Sequence, residues 1–218
     1  KLSDIKPYKT TPDGTTFTWH GKEVRAPFVG EFNLENCLAA LTLADVYSLP
    51  EEKEISAIEN FSGTLGRTQK IDAGQNFTVV VDYAHTADSM KKLYTAFPGR
   101  RLCVFGATGG GRDKWKRPEM GRVASENCDE IILTNDDPYD EKPIDIITDI
   151  RKGITNPKTT VELDRRKAIA LAYSKATKDS VVLISGKGTD PYLMEANGIK
   201  TPWDDATVAM EELGKLTF

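Results

Sequence analysis

The chain has 218 residues, enough for one substantial core or a domain with a smaller appendage. Charged residues make up 28% of it, and a formal charge of −4 offers no general attraction to nucleic acid or an anionic membrane. No stretch approaches the unbroken apolar length of a membrane-spanning helix, and Lys1-Leu2-Ser3-Asp4 does not read as a signal peptide. Cys37, Cys103 and Cys128 are odd in number and lack CxxC spacing, so reduced thiols in a cytoplasmic protein are the expectation. No His/Cys cluster at metal-ligand spacing points to a structural zinc.

In chain order, residues 15–19 and 22–26 read as strands, with His20-Gly21 as a hairpin turn. A helix is expected over 36–48, where Leu38, Leu41, Ala44 and Val46 are apolar, stopping before Pro50. A second helix is expected over 51–60. Two strands and a helical pair bury little alone, so residues 1–62 read as the tail of something larger. Residues 63–66, in the run Ser62-Gly63-Thr64-Leu65-Gly66, form a linker. Beyond it, strands are expected at 77–82, 101–106, 130–134, 159–162 and 180–185. Helices are expected at 87–97, 117–127, 143–153, 165–176 and 204–213. Alternation at this spacing implies βαβ crossovers: an α/β, Rossmann-like, mainly parallel sheet flanked by helices over 67–218.

Two strand ends carry the chemistry. The run Phe77-Thr78-Val79-Val80-Val81 ends in Asp82-Tyr83-Ala84-His85-Thr86, a carboxylate, a phenol and an imidazole in succession. The run Leu102-Cys103-Val104-Phe105 empties into a loop containing Gly109-Gly110-Gly111-Arg112-Asp113-Lys114. In open α/β sheets ligands bind beyond the carboxyl ends of the strands, so this pairing points to a nucleotide or anion site. The plainer alternatives are a tight glycine turn, a hydrogen-bonded histidine, and Asp82 as a turn or helix-capping residue. Lys114, Lys116 and Arg117 read as solvated surface charge.

Five blocks then occur in a fixed order: Gly66-Arg67; Asp82 to Ala87; Gly109 to Asp113 with Lys116-Arg117-Pro118-Glu119-Met120-Gly121; Asp136-Asp137-Pro138; and Ser185-Gly186-Lys187-Gly188. In this order they resemble the Mur ligases, and most closely the branch that adds the third residue of the peptidoglycan stem peptide. Phe32-Asn33-Leu34-Glu35-Asn36 similarly resembles the end of that family's central ATPase domain. The phosphate loop G-x-x-x-x-G-K-[ST] of that domain is absent from the sequence. The resemblance therefore implies a C-terminal portion of such an enzyme, inactive without the remaining domains.

The family reaction is ATP-dependent amide formation through an acyl phosphate. The resemblance thus implies ATP and Mg²⁺ as cofactors, the metal held mostly by the central domain. It implies UDP-N-acetylmuramoyl-dipeptide and a free amino acid as substrates, with the N-terminal and central domains as partners. It places Asn36, Arg67 and Asp82 at ATP, with Tyr83 and His85 lining the same cleft. Arg112 is implied to hold the amino acid's carboxylate, as a guanidinium does bidentately. Asp136, Asp137, Pro138, Tyr139, Gly186 and Asp190 complete the amino-acid pocket.

Two departures bear on specificity. Members that add meso-diaminopimelate resemble one another in Asp-Asn-Pro-Arg, whereas this chain has Asp136-Asp137-Pro138-Tyr139. Tyr139 supplies no cation and Asp137 adds a negative charge, so a distal ammonium, as on lysine or ornithine, is expected to suit the pocket better. Thr189-Asp190 also replaces the family's usual His-Glu pair, shortening the carboxylate side chain. The alternatives are a ligase resembling folylpolyglutamate or cyanophycin synthetase, or a nucleotide-binding module without catalysis.

Overall fold

The computed structural model describes residues 1–216, Asp4 as backbone only. The expected second domain runs to 218, and its last two residues lie outside the described ones. The chain divides into two compact units, Lys1–Thr64 and Leu65 onward.

In the first unit, β1 (Lys9–Thr11), β2 (Gly14–Trp19) and β3 (Lys22–Ala26) form an antiparallel sheet. The β2–β3 turn has His20 and Gly21 both at positive φ, 44° and 84°, the combination that a two-residue hairpin matching the strand twist requires. Helix α1 (Glu31–Val46) starts at Glu31 rather than Asn36, because the chain turns into it at Gly30. Its buried stripe of Leu34, Cys37, Leu38 and Leu41 has the i, i+3, i+4, i+7 spacing of one helix face. That stripe packs with Phe17, Val24 and Ala26 into a core of its own, joined by Ile55 and Ile58 of α2 (Glu51–Glu59). Burial pushes the Cys37 thiol up to about 12, so it remains a neutral apolar filler.

The second unit is built on a six-stranded sheet of order β4-β5-β9-β6-β7-β8. The strands are β4 (Gln69–Ile71), β5 (Thr78–Asp82), β6 (Arg101–Phe105), β7 (Glu130–Leu133), β8 (Thr159–Val161) and β9 (Val181–Ser185). All neighbours are parallel except β4, which runs antiparallel to β5 along the edge. The crossovers are α3 (Ala87–Ala96), α4 (Lys116–Asn127), α5 (Pro143–Arg151) and α6 (Arg165–Lys175). A short hairpin, β10 (Tyr192–Met194) and β11 (Lys200–Pro202), precedes α7 (Asp205–Leu213). β5, β7 and β9 are buried nearly throughout, the pattern of parallel strands covered on both faces. Val79, Val81, Val104, Ile132, Val182 and Ile184 meet α6 and α7 in one core. No helix among the described residues is long and apolar enough to cross a membrane.

The cysteine expectation needs correction. Cys103 on β6 and Cys128 at the end of α4 are joined by a disulfide, with Cα atoms 6.1 Å apart. Spacing along the chain concealed this, because β6–β7 pairing is what brings the two positions together. The bridge closes a loop with a sequence separation of 25, for which chain-entropy arguments give about 3 kcal/mol. Cys128→Ser is therefore expected to lower the unfolding free energy by about 2–4 kcal/mol in urea titrations. Reductant should destabilise the wild-type chain by a similar amount and leave the variant unchanged.

Candidate active site

The strand order itself makes the crevice. The chain passes from β5 to β6 leaving one place vacant, continues to β7 and β8, and returns to lay β9 between β5 and β6. The loops after β5, β9, β6 and β7 consequently share one sheet edge. They carry respectively Asp82–His85, Gly186–Asp190, the glycine-rich run to Arg112, and Asp136–Tyr139.

At the β5 end, Asp82 is buried and committed to the backbone. Its carboxylate accepts the N–H of Ala84 at 2.7 Å and the N–H of Thr68 at 2.6 Å, with the Thr68 hydroxyl at 3.3 Å. Burial raises its pKa, opposed by those hydrogen bonds. Asp82 thus fixes the loop that presents Arg67. The exposed Arg67 guanidinium lies 4.5 Å from the centre of the Tyr83 ring, and His85 meets the same ring edge-on at 4.9 Å. His85 Nδ1 is 2.9 Å from the Tyr83 carbonyl oxygen. Thr86 ends the block as the N-cap of α3, in a capping box with Ser89.

Two glycines set how closely these loops approach. A Cβ on Gly66 would stand 2.4 Å from the Thr189 nitrogen, and one on Gly186 would stand 2.5 Å from Asp136 Oδ2. A larger residue at Gly66 would push the segment before β4 off the loop after β9, and one at Gly186 would push the loop after β9 off the loop after β7.

The glycine-rich loop has two differently placed arginines. Arg112 is exposed and has no side-chain partner among the described residues. Arg117 is 1% exposed, contrary to its reading as solvated surface charge. It bonds Glu141 and Asp149 at 3.1 Å and donates to the Thr108 carbonyl oxygen, tying the loop to the start of α4. Lys114 adds a second cation to Glu141 at 3.0 Å. Arg117's hydrogen bonds, then Lys114's, hold the Glu141 carboxyl at about 2. Lys116 lies at the first position of α4.

In the β7 loop, Asp137 is not the bare negative charge expected from sequence. Lys187 Nζ lies 2.8 Å from both Asp137 oxygens and 3.0 Å from Asp190 Oδ2. Asp137 Oδ1 also accepts the Met194 N–H at 2.8 Å. Burial disfavours the Lys187 ammonium, but the carboxylates around it raise its pKa. Pro138 is buried against Gly109, and Tyr139, at φ 50°, sets its ring against Gly110. Beneath them Arg165 bonds Asp205 twice, at 2.8 and 2.7 Å, and donates to the carbonyls of Ser185 and Asn135.

Asp136 differs from its neighbour. It is buried, and no described residue hydrogen-bonds its carboxylate. Burial pushes its pKa up to about 6, against the pull of Arg165 and Lys187. The folded carboxyl therefore keeps its proton about two units above its unfolded value. Its contribution to stability is complete below the unfolded pKa and is lost as pH rises through about 6. Asp136→Asn should be about 2–3 kcal/mol more stable than wild type at pH 8 and nearly equal to it at pH 4. Urea unfolding at the two pH values measures the difference.

Asn36 lies in the first unit, exposed on α1. Sequence reasoning passed over Lys187, Arg165 and Arg117 as organisers of the site. A lysine between two glycines directly after a buried strand was the available signal for the first; the others had none.

The sequence model described as Mur ligase, glutamate ligase domain, matches residues 66–188. The chain belongs to the Mur ligase family. It is 43% identical over 175 residues to the UDP-N-acetylmuramoyl-L-alanyl-D-glutamate–2,6-diaminopimelate ligase of Thermosynechococcus vestitus, covering 77% of this chain and 35% of that one. It is 38% identical over 215 residues to the protein of the same name from Bacillus licheniformis, covering 95% and 44% respectively. A solved structure of a ligase with that name superposes with a TM-score of 0.69 at 31% identity, over 96% of this chain and 45% of the other. A Mycobacterium tuberculosis folylpolyglutamate synthase, at TM-score 0.65 and 15% identity over 84% of this chain and 44% of the other, shares the fold alone. The chain spans less than half the length of these curated relatives.

Proposed function

We propose that the complete protein is an ATP-dependent ligase that adds the third amino acid to UDP-N-acetylmuramoyl-dipeptide in the cytoplasm. This Mur ligase chain then supplies the amino-acid pocket and part of the nucleotide site. Residues 1–62 are in this reading the end of the central ATPase domain, and 67–218 the C-terminal domain. The observation that carries it is the convergence of a guanidinium–aromatic stack, an unpaired arginine and a carboxylate cluster at one edge of the parallel sheet. Relatives named as UDP-N-acetylmuramoyl-L-alanyl-D-glutamate–2,6-diaminopimelate ligases, 38–43% identical over most of this chain, support the reading.

The chemistry asks this chain to bind and orient. Arg67 and Tyr83 offer a cation and an aromatic plane to a nucleotide; Asp82, occupied by backbone donors, holds that loop in place. Arg112 is free to take the amino acid's α-carboxylate in a bidentate grip, which directs the amine toward an acyl phosphate on the dipeptide. Asp136 and Asp190 are placed to accept ammonium groups. Mg²⁺, when bound, neutralises phosphate charge. In this reading the central ATPase domain holds most of the metal's ligands.

The third residue is a diamino acid. Relatives are named for 2,6-diaminopimelate, but Tyr139 stands where the resemblance places an arginine for the distal carboxylate. The preference for lysine rests on Tyr139 alone, because Lys187 neutralises Asp137. Offering the complete enzyme lysine, ornithine and meso-diaminopimelate, with phosphate release as readout, tests the reading. Turnover should require UDP-linked dipeptide and a diamino acid, and lysine should exceed diaminopimelate. Turnover with no amino acid would reject the ligase, whereas diaminopimelate equalling lysine would reject only the preference. The 218-residue chain alone should be inactive.

A further inference from the structure

We propose that Arg117 is a positioning residue: paired with Glu141, it holds the glycine-rich loop in the shape that presents Arg112. The inference rests on the ligase reading above and extends it to two residues that touch no substrate.

Glycine has more conformational freedom to lose on folding than any other residue, and this loop has three in a row, with Gly110 and Gly111 at positive φ, 65° and 77°. An arginine beside them grips a carboxylate well only if that freedom is removed beforehand. Arg117 and Glu141 remove it. Arg117 holds Glu141 with both prongs, Nη1 to Oε2 at 3.1 Å and Nη2 to Oε1 at 3.2 Å. From there the pair reaches both stems of the loop. Ahead of the glycines, Arg117 Nη2 donates to the Thr108 carbonyl oxygen at 3.1 Å. At their end, Glu141 Oε1 accepts the Gly111 N–H at 3.3 Å, and Oε2 pairs with the Lys114 ammonium at 3.0 Å. Arg112 and Asp113 are the two residues between those last holds.

The pair is a poor device for stability alone. Arg117 is buried and its Nε–H has no acceptor among the described residues, while Glu141 stays partly open to solvent. A buried cation with an unsatisfied donor stabilises a fold less well than an apolar side chain of similar size. What the arginine gains is direction. A planar fork holds two carboxylate oxygens and a carbonyl at once, which an apolar side chain cannot do. Two variants weaken the hold in different ways. Arg117→Lys keeps the charge and loses the fork. Glu141→Gln keeps the shape and loses the charge, at a position open enough to solvent to leave the fold intact.

The first experiment needs no turnover: backbone NMR relaxation of the 218-residue chain. Order parameters over residues 109–113 should be about 0.85 in wild type and fall below about 0.6 in both variants. A wild-type loop as mobile as that of Glu141→Gln would overturn the proposal whatever the complete enzyme does. The second experiment varies a diamino acid and ATP in turn with the complete enzyme. Glu141→Gln should raise the amino-acid KM about 5- to 20-fold and the ATP KM by less than about twofold. A double-mutant cycle ties this to Arg112. On an Arg112→Ala background, Glu141→Gln should change kcat/KM for the amino acid by less than about twofold. A merely structural tie between α4 and α5 would move both KM values together, or add its full effect to that of Arg112→Ala. Either result would overturn the positioning role and leave the ligase reading intact. Turnover without any amino acid would instead reject the ligase reading, and the relaxation measurement would still decide whether the pair holds the loop.

Discussion

Replacing Arg165 by methionine is expected to cost about 3–5 kcal/mol of stability. Both partners of the Arg165–Asp205 pair are wholly buried, and the geometry is bidentate. Methionine leaves Asp205 without its counter-charge, keeping only the Trp203 indole N–H at 2.8 Å. It also strips donors from the Ser185 and Asn135 carbonyls, at the roots of the two loops that carry Lys187 and Asp136. The cost is that of stranding a charge, so exchanging the whole pair should be milder. Arg165→Met with Asp205→Leu should recover at least half of the loss. Urea denaturation followed by tryptophan fluorescence and far-UV circular dichroism gives both numbers. A single-variant loss below about 1 kcal/mol would show that solvent reaches Asp205 far more readily than its burial implies.

Arg112→Lys is expected to act in the opposite way, sparing stability and damaging function. The side chain is exposed and makes no side-chain hydrogen bond or ion pair with a described residue, so unfolding should shift by no more than about 0.5 kcal/mol. In the complete enzyme the loss of a two-pronged carboxylate grip should cost about 1.5–3 kcal/mol of binding. That corresponds to a rise of about 10- to 150-fold in the KM for the amino acid, with the KM for ATP little changed. Steady-state kinetics with each substrate varied in turn separates the cases. Equal effects on both substrates would place Arg112 at the nucleotide.

The contrast between Arg112 and Arg117 shows where the sequence stopped being legible. Both arginines stand in one basic stretch, and nothing in the pattern marks one as buried. Burial of Arg117 depends on Glu141 and Asp149, which reach it only because α5 packs beside α4. The same holds for Asp137, whose charge reads as free until β9 places Lys187 against it across 50 residues of sequence. The parallel strands were legible because β-branched runs bounded by turn residues announce themselves. Strands β1, β4, β10 and β11 were not: each has only three residues and exists through its partner. The disulfide belongs with these, a product of strand pairing and not of spacing. The blocks at the strand ends carried the family reading because order along a chain is a sequence property. Which of their side chains were already engaged by neighbours was not.

The position of β9 has a consequence for how the second unit comes into being. It is the last parallel strand to be synthesised, yet it sits in the middle of the sheet, hydrogen-bonded to β5 on one side and β6 on the other. Until it emerges, β4-β5 and β6-β7-β8 are two partial sheets, each with an apolar edge awaiting a strand. A nascent chain halted before Val181 would therefore expose two sticky edges instead of one partly finished sheet, a natural substrate for holding chaperones. Arrival of residues 181–185 joins the halves in one step. It also brings Gly186–Asp190 to the crevice, so the pocket is assembled by the event that completes the fold.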